Sequence, residues 1–532
     1  MKFSTLLLST LLATAPLASN AQKSSFNSPI TQAMMKVYDQ TIENNPRDYD
    51  TLFKRANEYY KHDAYNEALQ DVNNALRYMP SDDHALRYQA LMLRANIYDM
   101  SHRYNEAVSD LNSVLSLAPG NYTATYLRAN ANFELGNLEQ SKKDYQALYK
   151  QNPRSQEALF GLARIAVKEN NLGVADELSN RAVEITPQVS DVYIRRASIR
   201  SLAGNIQGAV DDYILAISTD NRNNPRALNE LVNLSKTNYP MVMSGLTNAI
   251  RQAPKVGMFY YIRAMIAQSH CSYASAIADY DKIINDHLYS YPGLNAALAE
   301  CYYALGKYDT ALLNADYAIS ATDDNVPYYV LKSNILRAMK QPQEALECAE
   351  KALEKNPDAP LALRAKALAQ VDLKQYTEAS VSLSEALLTD PTDAYNLMLR
   401  AWIMQDFRKD KAMAEQLYQR VLELDYDFDN VHSLKGFALL FLGRETEAEN
   451  WMTTLLDKVD DYDGLINYYA ACFYAQKGSK DLALKHAAAS LEKGYANYHN
   501  WMDDNAAHIN VAPIRSDKRF KETLDRYAIL FK

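Results

Sequence analysis

Residues 46–80 read PRDYDTLFKRANEYYKHDAYNEALQDVNNALRYMP, and the fold can be predicted from their pattern. Its apolar and small residues recur with a helical period on both sides of a short polar turn, which is typical of two helices. A proline stands at each end, and the two are 34 residues apart. Because proline disfavours helical backbone in the residue before it, the second helix ends there and the chain turns back. The stretch therefore predicts one antiparallel helix pair.

The same unit recurs along the chain. Three further proline intervals of 34 residues are Pro119–Pro153, Pro153–Pro187 and Pro357–Pro391. Small residues stand where the two helices of a unit would cross, so that their backbones can approach closely. We count about thirteen units between Asp48 and Tyr495, which predicts a stacked helical array. One interval, from Pro80 to Pro119, is 39 residues and predicts a longer first helix in the second unit.

This pattern resembles the tetratricopeptide repeat, whose small residues fall at positions 8, 20 and 27 and whose proline falls at 32. Counted from the start of the first helix, Ala56, Ala68, Ala75 and Pro80 stand at these positions. The resemblance covers nearly the whole chain after its first residues. It implies an all-α, right-handed superhelical solenoid of antiparallel helix pairs, with a helical cap at each end.

The remaining segments complete the predicted organisation. Residues 1–21 carry Lys2, a short leucine run and the small residues Ser19 and Ala21, which is the pattern of a signal peptide cut before Gln22. The sixth repeat, rich in proline, is either a unit that bends the array or an ordinary irregular repeat. The predicted order after the signal peptide is a polar linker (22–30), a capping helix (31–46), units one to five (47–221), the degenerate sixth unit (222–254), units seven to thirteen (255–495) and a carboxy-terminal cap (496–532).

Composition excludes several functions. The chain has 532 residues, with 56 Lys and Arg against 65 Asp and Glu, and this acidic balance argues against nucleic acid as a partner. No later apolar run approaches the length of a transmembrane helix. The nine His are scattered, and the four Cys match no metal or redox spacing and are predicted to be buried thiols. No phosphate loop or nucleophile elbow is present, so we expect no enzyme, cofactor or metal site.

One pairing recurs inside the units. Arg at position 7 is accompanied by Asp at position 23 in five of them: Arg55/Asp71, Arg94/Asp110, Arg128/Asp144, Arg196/Asp212 and Arg263/Asp279. Most other units have neither, as with Leu162 and Leu178, and Arg400 stands alone opposite Leu417. Because the Arg and the Asp occur together or are missing together, we predict that they form ion pairs that fix the packing register of the helices. In the alternative, the arginines form a track for an anionic ligand.

Positions 2, 5, 9, 12 and 13 of the first helix line the concave face in the family that the repeats resemble. In the first three units position 9 is Asn57, Asn96 and Asn130. Because an amide both donates and accepts hydrogen bonds, this ladder could hold the backbone of an extended peptide. The alternative is that these Asn cap contacts between helices. Aromatic residues that could add buried area around the ladder are Phe53, Tyr60, Tyr126, Phe133 and Phe160.

A second apolar zone lies in later repeats. Trp402, Phe437 and Phe441 fall at or beside concave positions, and such residues dominate binding energy at interfaces. They are either a second partner-binding zone or are buried against neighbouring units or the cap. The carboxylate clamp of related co-chaperones is not expected, since Phe53, Thr123 and Leu127 stand where that clamp has Lys or Arg.

These patterns predict an exported bacterial scaffold, periplasmic or secreted, that binds a protein or peptide in its groove without catalysis. The alternative is a glycan-binding helical-repeat protein that works with an outer-membrane transporter. That class usually has a lipidated Cys after the signal and large insertions between repeats, whereas this chain has Gln22 and short turns. Whether the protein is free or associated with a membrane complex stays open.

Overall fold

The computed structural model describes residues 28–219, 224–291, 293–424, 430–502 and 509–531. Every regular element in these ranges is helical, so the all-α, paired-helix prediction is confirmed. The predicted signal peptide and most of the polar linker lie outside them. The helices form two compact units, an amino-terminal one (28–234 with 240–245) and a carboxy-terminal one (235–239 with 246–531).

The amino-terminal unit holds a capping helix and five helix pairs. Its second pair begins with a helix of 17 residues, four more than the first helix of the unit before it, as the wider proline interval predicts. The helices are α1 (Pro29–Asn44), α2 (Tyr49–Lys61), α3 (Tyr65–Tyr78), α4 (His84–Met100), α5 (Tyr104–Leu117), α6 (Tyr122–Glu134), α7 (Leu138–Gln151), α8 (Gln156–Lys168), α9 (Leu172–Ile185), α10 (Ser190–Leu202) and α11 (Ile206–Thr219).

Helix α12 (Pro225–Gln252) takes the place of the degenerate sixth repeat. Its backbone leaves the helical region at Asn238, where φ is −131° and ψ is 35°, so two helices meet there without a loop. Pro240 stands two residues later, and a proline inside a helix removes one hydrogen bond and clashes with the preceding turn. Pro240, one of the prolines that weaken the repeat pattern, therefore accounts for the kink.

The carboxy-terminal unit continues with seven pairs and a closing region. The pairs are α13 (Gly257–Ser269), α14 (Tyr273–Asn285), α15 (Leu294–Ala304), α16 (Tyr308–Ala321), α17 (Val326–Ala338), α18 (Pro342–Lys355), α19 (Pro360–Asp372), α20 (Tyr376–Thr389), α21 (Ala394–Asp406), α22 (Lys411–Glu423), α23 (Asn430–Phe441), α24 (Glu445–Lys458), α25 (Leu465–Gln476) and α26 (Lys480–Glu492). The closing region holds α27 (Tyr498–Met502), α28 (Ala512–Arg515), α29 (Lys518–Arg526) and a 3-10 turn (Ala528–Phe531).

Local residues define each pair. First helices begin at polar caps such as Asp48 and Asn121, whose side chains accept a backbone N–H three residues on. The turn to the second helix passes through left-handed backbone, at Asp63, His102 and Gly136 for example, with φ between 56° and 76°. Glycine, Asn and Asp tolerate this conformation best, which explains much of the turn sequence.

First helices of neighbouring repeats contact each other, as α2 does α4, α8 does α10 and α17 does α19. Neighbouring second helices do not contact each other to a comparable extent in the described ranges. Within each of the two compact units, the first helices of the repeats therefore line one face, called the inner face below. Alanines at the helix crossings, such as Ala56 and Ala68, have no exposed surface.

All five predicted Arg–Asp pairs form two parallel hydrogen bonds, 2.5 to 2.9 Å long. In one of them, Arg128 Nε and Nη2 donate to the two carboxylate oxygens of Asp144. The Arg128 side chain is 20% exposed and that of Asp144 only 6%. Such bidentate, charge-assisted bonds are stronger than neutral ones and tolerate little misalignment. The predicted pairing is confirmed.

The structure adds a third partner to each arginine. Nη1 donates to a polar side chain on the helix that precedes the unit, at 2.7 to 2.9 Å. Four of the acceptors lie 16 residues before their arginine. The fifth, Asn73, lies 21 residues before Arg94, because the second repeat is longer than the others. Each arginine thus joins the two helices of its own repeat to the helix that precedes them. The acceptors are Asp39, Asn73, Asn112, Asn180 and Thr247.

Later repeats keep the backward contact with lysine. Lys332 pairs with Asp316 at 2.6 Å and Lys366 with Glu350 at 3.5 Å, again 16 residues earlier. Arg400 differs, because its buried Nε has no hydrogen-bond partner among the described residues. Burial and the nearby Arg420 lower the pKa of Arg400.

We predict that the Arg128 contacts stabilise the array measurably. Asp144→Ala should lower the free energy of unfolding by about 2 kcal/mol, less than for a fully buried pair because Arg128 is partly exposed. The double variant Arg128→Met, Asp144→Ala should lose less stability than the two single variants lose together. The difference is the coupling energy, which we expect to be about 1–2 kcal/mol in urea unfolding. The control pair is Lys142 and Glu169, each 36% exposed, whose coupling should stay below about 1 kcal/mol. Equal coupling in both pairs would contradict a structural role for the arginine.

Candidate functional site

Three asparagine side chains stand at matching places on the inner face of the amino-terminal unit. Asn57 is on α2, Asn96 on α4 and Asn130 on α6, and all three are half-buried. Each follows a position-7 arginine by two residues. The three-helix arginine contacts therefore also hold these amides in register along the repeats.

The amides differ in how much of their hydrogen-bonding capacity the fold uses. Asn57 and Asn96 have no side-chain hydrogen bond to any described residue, whereas Asn130 Oδ1 accepts one from the Tyr145 hydroxyl. The Tyr145 ring is buried beside Gly161, where a Cβ would lie 2.2 Å from the ring. The alternative role, a cap between helices, thus fits Asn130 and not the other two.

The aromatic residues around the amides divide into two groups. Phe53, Tyr60 and Tyr126 are half-buried and keep surface on the inner face. Phe133 is 9% exposed, and the Arg164 guanidinium lies 4.0 Å from its ring centroid. Phe160 is 4% exposed, so Phe133 and Phe160 belong mainly to the core and we leave them out of the proposed contacts. The term amide surface below means Asn57, Asn96, Asn130, Phe53, Tyr60 and Tyr126.

The amide surface borders negative charge that sequence reasoning missed. Asp99 stands on α4 one turn after Asn96, and no ion pair neutralises it within the described ranges. Burial and the neighbouring Glu134 raise the pKa of Asp99. Burial and Asp99 in turn raise the pKa of Tyr60. Since Asp99 occupies position 12 of its unit, the same positional reasoning could have included it.

The second predicted zone is largely interior. Phe437 has no exposed surface and meets Phe473 edge-to-face at 5.8 Å. Trp402 is 8% exposed, and its Nε1 donates to Asp406 at 3.0 Å. Phe441 is half-buried and packs against Tyr418. Phe437 and Trp402 fill space between repeats, as the alternative interpretation expects, and a partner could not reach Phe437.

Other expected features can also be located. All four cysteines are buried and free, as predicted, and burial raises the pKa of Cys271 and Cys472 to about 12. No group of His, Cys, Asp or Glu side chains in the described ranges could hold a metal ion. In the same ranges no helix combines the length and apolar character needed to cross a bilayer.

Comparison with known families agrees with this geometry. Two models described as tetratricopeptide repeat match the sequence, one over residues 126–190 and one over residues 336–403. The chain thus contains tetratricopeptide repeats, and these repeats are a non-catalytic family. No curated protein sequence matches it.

Several solved structures are similar to this chain, at low sequence identity and with low TM-scores. Yeast Tom70 is 16% identical over 75% of this chain and 96% of its own, with a TM-score of 0.36. YrrB, described as a tetratricopeptide protein with an unusual peptide-binding site, is 20% identical over 36% of this chain and 96% of its own, with a TM-score of 0.27. A repeat protein from Parabacteroides merdae is 19% identical over 54% of this chain and 98% of its own, with a TM-score of 0.29.

Proposed function

We propose that the protein is an exported scaffold whose amide surface binds an extended segment of a partner protein. The observation that carries the proposal is the pair of half-buried amides, Asn57 and Asn96, that the described fold leaves without hydrogen bonds. Both side chains keep surface that water reaches, and a peptide backbone offers the donors and acceptors that could replace this water.

The dimensions favour a short extended segment. Packed helices are about 8–10 Å apart, so three first helices extend over about 20 Å. A strand rises about 3.3 Å per residue, and about six residues would therefore cross the surface. Phe53, Tyr60 and Tyr126 would supply apolar contact, because aromatic rings bury much area with few rotatable bonds.

The negative charge of Asp99 beside the amide surface indicates which kind of partner segment would bind. Asp99 lacks an ion-pair partner among the described residues, and Glu134 lies near it. A segment with Lys or Arg opposite Asp99 would remove this repulsion, whereas an acidic segment would increase it. A partner segment with basic residues is therefore the better match.

Export rests on the sequence of residues 1–21, with its cationic start, leucine run and small residues before Gln22. A periplasmic or secreted location follows, and membrane contact would come only through a partner. Sequencing the amino terminus of the protein from its own cells tests this, since a terminus at Gln22 supports export and one at Met1 opposes it.

We predict that the amides are needed for capture of the partner. Mature protein fixed to a resin should retain a protein from an extract of the native cell envelope. The triple variant Asn57→Ala, Asn96→Ala, Asn130→Ala should retain at least tenfold less, because several hydrogen bonds of about 1 kcal/mol each are lost.

The control removes exposed amides from second helices. Asn66→Ala with Asn105→Ala changes the same chemistry on α3 and α5 and should capture the partner like the unaltered protein. Equal capture by the triple variant would contradict the proposal. Retention of glycan instead of protein would favour the glycan-binding alternative.

A further inference from the structure

Residues 495–502, of sequence YANYHNWM and called the closing segment, do not continue the stack of repeats. They lie against α15, which is nearly 200 residues earlier in the chain. His499 is central to this contact. Its Nε2 is 2.7 Å from the Tyr303 hydroxyl and its Nδ1 is 3.0 Å from the Tyr308 hydroxyl. The rings of His499 and Tyr303 are also close, with centroids 4.2 Å apart.

Tyr498 fits a place that only glycine leaves open. Gly306, in the turn between α15 and α16, has a φ of 73°, and a Cβ there would lie 2.7 Å from the Tyr498 ring. The same ring meets Phe531 edge-to-face at 5.3 Å. The Tyr498 ring therefore lies between the eighth repeat and the end of the chain.

The other end of the closing segment is held by the thirteenth repeat. Trp501 has no exposed surface and meets the Tyr468 ring of α25 edge-to-face at 4.9 Å. The Tyr468 hydroxyl donates to the Asn500 carbonyl at 3.1 Å. Tyr303 and Tyr468 are both on first helices, so the closing segment joins the inner faces of two repeats that are distant in sequence.

Beside the closing segment a polar cavity of about 210 Å³ remains on the same face. His499 and Met502 of the closing segment line it, together with Asn334 and Arg337 of α17. The closing segment thus also borders first-helix side chains of the ninth repeat and leaves this cavity beside them.

We propose that the inner face of these repeats is a binding site for a short aromatic segment, and that the closing segment, which is helical from Tyr498 to Met502, is its built-in occupant. A partner segment of similar chemistry, with aromatic side chains on either side of a His, would have to displace it. The proposal does not depend on the amide surface, because the occupant and its contacts lie within the carboxy-terminal unit.

The test uses the full mature chain and a fluorescein-labelled peptide of residues 495–502. The unaltered protein should not bind this peptide at micromolar concentration, since its own segment is present at a much higher effective concentration. Tyr498→Ala with His499→Ala removes the occupant's contacts with the eighth repeat and leaves the residues of that repeat unchanged. This variant should bind the peptide at least tenfold more tightly, as measured by fluorescence anisotropy.

Two additions to that variant locate the peptide. Gly306→Asn places a side chain where the Tyr498 ring binds and should abolish peptide binding. Gly443→Asn is the matched control, because Gly443 has the same backbone conformation, with a φ of 75°, and a Cβ there meets nothing within 4 Å. Asn tolerates such backbone, so the strain is similar in both variants. Peptide binding should survive Gly443→Asn.

Three results would overturn the proposal: equal binding by the unaltered protein, equal binding by the Gly306→Asn and Gly443→Asn variants, or no binding by any variant. Hydrogen exchange of α19–α21, which must be unchanged, confirms that each variant is folded.

Discussion

The register of the helix pairs is set by a half-buried guanidinium that is satisfied only when three helices are correctly placed. Arg128 shows the arrangement, with Asp144 on the second helix of its own repeat and Asn112 on the second helix of the repeat before. A shift of one helical turn would separate the charge from its partners, which is costly at partial burial. Apolar packing drives the stacking, and the arginine selects one register among those that packing would tolerate.

The two inner faces use this regular frame differently. In the amino-terminal repeats the arginines align polar amides, which the described fold leaves largely unused and which remain open to a partner. In the carboxy-terminal repeats the inner face carries aromatic side chains, and the chain covers Tyr303 and Tyr468 with its own closing segment. Large exposed apolar patches favour unwanted association, so an aromatic face needs an occupant while an amide face does not.

Sequence predicts what recurs and misses what occurs once. The helix pairs, their number and the Arg–Asp pairs follow from the 34-residue period. The third arginine partner does not, because its identity varies between Asp, Asn and Thr and it belongs to the preceding unit. The burial of Phe437 depends on how closely neighbouring repeats pack, and the contact of His499 with Tyr303 joins residues 196 apart. Neither leaves a periodic signal.

The most direct test is photo-crosslinking in an extract of the cells that make the protein. Benzoyl-phenylalanine would replace Phe53 or Tyr126 on the amide surface, and Leu117, which is 41% exposed on a second helix, as the control. We expect both inner-face positions to crosslink the same polypeptide and Leu117 not to crosslink it. Crosslinks from Leu117 alone, or equally from all three positions, would contradict it.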